Sequence, residues 1–525
     1  MKYLWFLMLS LFLSCNSSQK AIEENSTIET NTASVYTPLD PTYFAETITE
    51  EELKEYLYVY ASDEFEGRET GEPGQKKAIA FIKEAYEQID IPAAQENGDY
   101  FQKVPLEIAR VPKGSINTEK GTYKQGEDFV TFSHLTKDFD NIVYMGYGIE
   151  DEGYSDYKDH DVKGKIVLIK SGEPKNDAVN YTISGTITPS VWSDAADGIS
   201  AKFDLAINKG ALGVLYYDPA YYPRYKNYYD YNLNAENGKM ELSSKEDSPI
   251  FVLVTTEMAM ALNPTIENEA KSKIIEGKVS LNIENTNKIV DSENVIAILK
   301  GSEKPEEYIV ISSHLDHIGI TGNQINNGAD DDGSGTVAML EIAEAFKEAS
   351  LKGQGPKRSI VFLHVTGEEK GLFGSQYYTD FDPIFPLEQT VTNLNIDMIG
   401  RIDPKRQGNR NYVYLIGSDK LSSELHQLSE EVNNKYTQLE LDYTYNDEND
   451  PNRFYYRSDH YNFAKNDIPI IFYFNGTHDD YHKPGDTPDK INYDLLENRS
   501  RLIFYTAWEL ANRQTKPKVD VVPSK

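Results

Sequence analysis

From about residue 292 the chain alternates short apolar strands with helical segments, and this constrains the fold more than any other feature. "NVIAIL" and "EYIVISS" read as strands, followed by the helix "GTVAMLEIAEAFKEA", the strand "SIVFLHV" and a short helix in "GLFGSQYYTD". The strands "TVTNLNIDMI", "NYVYLIG" and "IPIIFYF" come next, then a long helix in "YDLLENRSRLIFYTAWELANR". Such alternation predicts an α/β architecture: a mixed, mostly parallel sheet with helices on both faces. In sheets of this kind ligands gather at the carboxyl ends of the strands.

Five stretches place acidic or imidazole groups just after such strands. "SSHLDH" supplies His314 and Asp316, and "GADDDGSG" supplies Asp330, Asp331 and Asp332. "TGEEKGLFGS" brings Glu368 and Glu369, "NIDMIG" brings Asp397, and "DDYHKPGDT" brings His482. Two imidazoles and three carboxylates suit a pair of zinc or similar borderline ions. The triplet has a competing reading: Asp330, Asp332, Ser334, Gly335 and Glu341 fall at positions 1, 3, 5, 6 and 12 of an EF-hand calcium loop. An EF-hand needs a helix entering its loop, and "IGITGNQINNGA" is not one: it has three glycines and no apolar stripe. Which of the three aspartates carries the chemistry is left open by residue type alone.

Taken in order, "HLD…GADDDGSG…EE.GL.GS…NIDMIG…DYHKPGDT" resembles the zinc metallopeptidase family of bacterial secreted aminopeptidases and glutamate carboxypeptidase. "DEFEGRETGEPGQKKAIAFI" looks like that family's N-terminal segment, and "GYGI" with "DVKGKIVLI" looks like its inserted protease-associated domain. The resemblance implies roles residue by residue, with two zinc ions as cofactors. His314 and Asp397 would bind one zinc, Glu369 and His482 the other, and Asp331, the aligned member of the triplet, would bridge them. Asp316 would hold the His314 imidazole, and Glu368, without a metal, would be the general base. Tyr481, His460 and Arg457 are candidates for substrate contact. Arg457 would hold a substrate carboxylate in a carboxypeptidase or dipeptidase. Of the other histidines, His317 and His478 lie beside matched motifs, while His134, His160, His364 and His426 read as structural.

The implied activity is peptide-bond hydrolysis, as an aminopeptidase acting on peptide substrates. The alternatives are a carboxypeptidase or dipeptidase of the same family, or a non-catalytic binding protein on the same scaffold. A formal charge of -33 argues against nucleic acid as a partner. "MKYLWFLMLSLFLSC" reads as a lipoprotein signal over residues 1–15, with a lipid on Cys15 as the expected membrane contact and the cell envelope as the expected location. Cys15 is the chain's single cysteine, so no intrachain disulfide is available. Residues 16–40 read as a flexible tether, 41–110 with 285–515 as the peptidase domain, 111–284 as the β-rich insert, and 516–525 as a tail. One clear helix is expected in the insert, near "AKFDLAINKGA", and the eight tyrosines within residues 216–231 are expected in a surface loop.

Overall fold

The computed structural model describes residues 40–176, 179–194, 196–233, 238–243 and 249–521, so the signal segment, Cys15 and the tether up to residue 39 lie outside the described residues. Residues 40–525 form one compact unit. Among the described residues the strands form two large sheets, of nine and eight strands.

The nine-stranded sheet holds the alternating half of the chain. Its central strands, Arg358–Val365, Lys304–His314, Thr390–Ile396 and Ile470–Phe474, lie side by side and parallel. The flanks are antiparallel: Lys288–Leu299 against Arg358–Val365, and Tyr412–Ile416 against Ile470–Phe474. Arg358–Val365, Thr390–Ile396 and Ile470–Phe474 are buried along their whole length, as strands covered on both faces must be. One face is covered by the helices Glu50–Tyr60, Pro73–Gln88, Gly335–Leu351 and Tyr493–Asn512 around a large shared core. The other is covered by Phe373–Asp380 and His460–Ala464, which bury Tyr378 and Phe463. This is the expected mixed α/β layering.

The chain leaves this sheet after the strand Phe101–Ile108, builds the eight-stranded sheet from Lys113–Thr118 to Lys273–Glu284, and returns at Lys288. One piece crosses back: Met240–Leu242 pairs with Phe101–Ile108 at the edge of the nine-stranded sheet. Among the described residues between 111 and 284 there are three α-helices, not one: Asp197–Asn208, Tyr222–Leu233 and Thr256–Leu262. The tyrosine-rich stretch is therefore the end of a strand and a helix rather than a loop. Pro223 suggests a break, but it falls in the first helical turn, where a missing N–H is harmless. Tyr225 and Tyr229, one turn apart, both pack on Phe132. The C-terminal stretch is pinned as far as it is described, with Asp520 accepting the Ser423 N–H at 2.8 Å. Among the described residues no helix is long and apolar enough to cross a membrane.

Candidate metal centre and active site

The four central strands deliver their carboxyl ends to one place. His314 is the last residue of Lys304–His314, Asp397 follows Thr390–Ile396, and Glu368 and Glu369 open a short helix three residues after Val365. Asp331 arrives from the crossover loop before the helix Gly335–Leu351, and His482 from the loop beyond Ile470–Phe474.

Asp331 is the hub. Its Oδ1 lies 3.1 Å from His314 Nε2, which is 3.6 Å from Asp397 Oδ1. Its Oδ2 lies 3.1 Å from His482 Nε2, which is also 3.1 Å from Glu369 Oε2. Two donor groups result, His314–Asp331–Asp397 and His317–Asp331–Glu369, each with ligand atoms within 4.8 Å of one another. His314 Nε2, Asp331 Oδ2, Glu369 Oε1 and both nitrogens of His317 are buried without a well-aligned hydrogen bond. Buried donors that converge without pairing suit cations held between them. The set of carboxylates and imidazoles fits zinc.

The other two aspartates of the triplet hold backbone. Asp332 accepts the N–H groups of Gly335 and Met398 on Oδ1, both at 3.0 Å, and that of His314 on Oδ2 at 3.3 Å. Asp330 Oδ1 accepts the Gly400 N–H at 2.6 Å and the Ser334 hydroxyl at 3.1 Å. Glu341 lies well into the following helix, with Glu52 and Glu344 for neighbours. These carboxylates do not share a calcium loop.

Asp316 differs from expectation in which atom does the orienting. His314 Nδ1 lies 3.0 Å from the Asp316 carbonyl oxygen, while the Asp316 carboxylate is 4.0 Å away. That carboxylate accepts the Thr70 hydroxyl at 2.7 Å and the Glu368 N–H at 3.2 Å, so it fixes the Glu368 turn instead.

Electrostatics couple these groups strongly. Burial pushes the Glu368 carboxyl well up, and Asp397, Glu369 and Asp459 add to the rise against the opposing pull of His314. Burial, and then the Asp331 charge, disfavour the Glu369 carboxylate, but the imidazoles of His317 and His482 beside it outweigh them and bring the group down to about 2. Burial opposes the charged His482 ring, yet Asp331 and Glu369 push it up to about 10. Protons and metal ions would compete for the same atoms here.

A cavity opens beside the cluster, lined by Asp331, Glu368 and Asp397 together with Met398, Phe454, Phe472, Phe474, Arg457, Thr477 and Tyr481. Tyr481 stacks on His482, with ring centroids 3.9 Å apart. Burial, then the surrounding carboxylates, push its phenol far up, so it remains a hydrogen-bond donor. Arg457 is exposed, with its guanidinium 5.0 Å from the centre of the Phe454 ring. His460 does not line this cavity. It is fully buried and stacked on Phe472 at 4.5 Å, with Nε2 2.8 Å from the Tyr455 carbonyl oxygen; Phe472 occupies the wall in its place.

Residues 294–507 match the family model described as peptidase family M28. That stretch contains all five motif segments. The rat aminopeptidase NAALADL1 is 33% identical over 122 residues, 23% of this chain and 15% of that protein. The Bacillus subtilis aminopeptidase YwaD is 27% identical over 234 residues, 43% of this chain and 46% of that protein. The chain thus spans less than half the length of these curated relatives. Among solved structures, an aminopeptidase from Aneurinibacillus sp. strain AM-1 aligns over 93% of this chain and 99% of its own, at 19% identity and a TM-score of 0.45.

Three parts of the site were not expected from the sequence. His317, three residues after His314, enters the second donor group; the His-x-x-His spacing at a strand end was the available signal. Arg68 is buried and clamps two loops, donating to the carbonyls of Leu315 at 3.2 Å, Asn327 at 2.6 Å and Gly328 at 2.9 Å. Phe472 and Phe474, at alternating positions of one strand, face the same side and form the aromatic wall.

Proposed function

We propose that this protein is a di-zinc exopeptidase that releases residues from peptide N-termini. The observation that carries the reading is a pair of donor groups sharing Asp331, with Glu368 beside them on the cavity wall and belonging to neither group. His314 and Asp397 would hold one zinc, Glu369 and His482 the other, and Asp331 both. When bound, the metal pair would supply Lewis acidity for the scissile carbonyl and for water. Glu368, anchored through its N–H to Asp316, accepts the proton of the attacking water and returns it to the leaving amine. The Tyr481 hydroxyl is positioned on the cavity to donate to the developing oxyanion, and Phe454, Phe472 and Phe474 exclude water and take an apolar side chain. Cleavage of aminoacyl-nitroanilides, abolished by N-terminal blocking and by chelators, is the expected outcome. Preference for N-blocked dipeptides would favour the second reading, a carboxypeptidase or dipeptidase. The exposed Arg457 on the same cavity supports that alternative as the partner of a substrate carboxylate.

The same reading includes a protease-associated domain in residues 111–284 and export with a lipid on Cys15. The apolar run ending in Ser14-Cys15 supports the anchor. Labelling with radioactive palmitate in the native host tests it: label that persists in Cys15→Ala contradicts it.

A further inference from the structure

The proposed mechanism makes no use of His317, yet the fold is shaped around its ring. The residue is fully buried, and its N–H donates to the Arg68 carbonyl at 3.2 Å. The ring packs on Gly328, where an added Cβ would lie 2.6 Å from the imidazole Cγ and Cδ2. With φ +55 at that position, glycine serves both the turn and the ring. Nδ1 is aimed into the cluster, 2.8 Å from Glu369 Oε1 and 3.8 Å from Asp331 Oδ2. Neither ring nitrogen makes a well-aligned hydrogen bond.

We propose that His317 Nδ1 is a fourth protein donor to the metal site formed by Asp331, Glu369 and His482. The inference rests on the di-zinc reading above and adds an asymmetry to it. Four protein donors saturate a tetrahedral zinc site, whereas the three at His314, Asp331 and Asp397 leave one position open. The site with His317 therefore holds its ion more tightly and exchanges it more slowly, and the three-donor site is the one that empties first under chelation.

X-ray absorption spectroscopy of the fully loaded wild-type protein tests this without any substitution. Three imidazoles shared by two zincs are expected, from His314, His317 and His482; a count of two overturns the proposal. Zinc titration of chelator-stripped protein, by competition with a chromophoric chelator, should resolve two steps. His317→Ser should weaken the tighter step by more than the about 10- to 100-fold that loss of a residue merely orienting a ligand costs. It should leave the weaker step in place. If His317→Ser binds both zincs with wild-type constants, or loses affinity within that range while the imidazole count stays at two, His317 only orients Glu369 and the proposal fails. Wild-type protein that takes up fewer than two zincs contradicts the di-zinc reading itself, an outcome distinct from these.

Discussion

Replacing Glu341 by Gln should stabilise the protein, and by an amount that depends on pH in a defined way. Glu341 is 1% exposed on the helix Gly335–Leu351. Burial, reinforced by Glu52 and Glu344, pushes its carboxyl up to about 9 from 4.5, against a Thr49 N–H that favours the charged form. A raised acid pKa means that the folded chain holds a proton which the unfolded chain releases. Stability from this group is fully present below pH 4.5 and drains away as pH rises towards 9, at about 1.4 kcal/mol per pH unit. By pH 7 the accumulated cost is about 3 kcal/mol, and Gln, which does not titrate and keeps an acceptor for Thr49, removes it. Thermal unfolding of wild type and Glu341→Gln, followed from pH 4.5 to 8.5 at fixed metal concentration, reads the effect. The melting temperatures should coincide near pH 4.5 and diverge steadily above it, with the variant higher. A difference that is constant across this range, or a variant less stable at pH 8, would refute the reasoning.

Asp331→Asn should lower zinc content at both sites, because its two oxygens face different donor groups. Asp330→Asn should retain bound zinc at reduced thermal stability, since that carboxylate holds backbone N–H and hydroxyl groups; elemental analysis beside calorimetry separates the two cases. Arg68→Ala strands the carbonyls of Leu315, Asn327 and Gly328, at about 1–3 kcal/mol for each that water does not reach. Its melting temperature should fall and zinc binding should weaken together. Tyr481→Phe keeps the ring stacked on His482 and removes the oxyanion donor, so kcat should drop by about 10²-fold with zinc content unchanged. Equal activity would remove Tyr481 from the mechanism.

The alternating strands and helices beyond residue 292 were legible because strands buried on both faces are rich in consecutive apolar residues, as in "IVFL" and "IPIIFYF". The candidate site was legible where its groups sit at strand ends, since chain position alone brings His314, Glu369 and Asp397 together. What escaped depends on packing. His460 and Tyr481 look equally placed in the sequence, and only the fold puts Phe472 between His460 and the cavity. The choice between the Asp316 carbonyl and its carboxylate turns on a difference of about an ångström in distance from the ring, which the residue types do not report. Arg68 lies about 250 residues from the carbonyls it clamps, a separation no local pattern reports. The helix of residues 222–233 was hidden by Pro223 and by tyrosines, whose weak helical preference is overridden by contacts with Phe132.

The central claim is a zinc pair served by a separate proton-transfer carboxylate, and the adjacent glutamates test it most directly. Zinc stoichiometry and kcat are measured on the same preparations of wild type, Glu368→Gln and Glu369→Gln. Glu368→Gln should keep both zincs and the folded structure while kcat falls by at least about 10²-fold, because only proton transfer is lost. Glu369→Gln should lose zinc as well as rate. Zinc retained and activity undiminished in both variants would contradict the account, and zinc lost from Glu368→Gln but kept by Glu369→Gln would reverse the two roles.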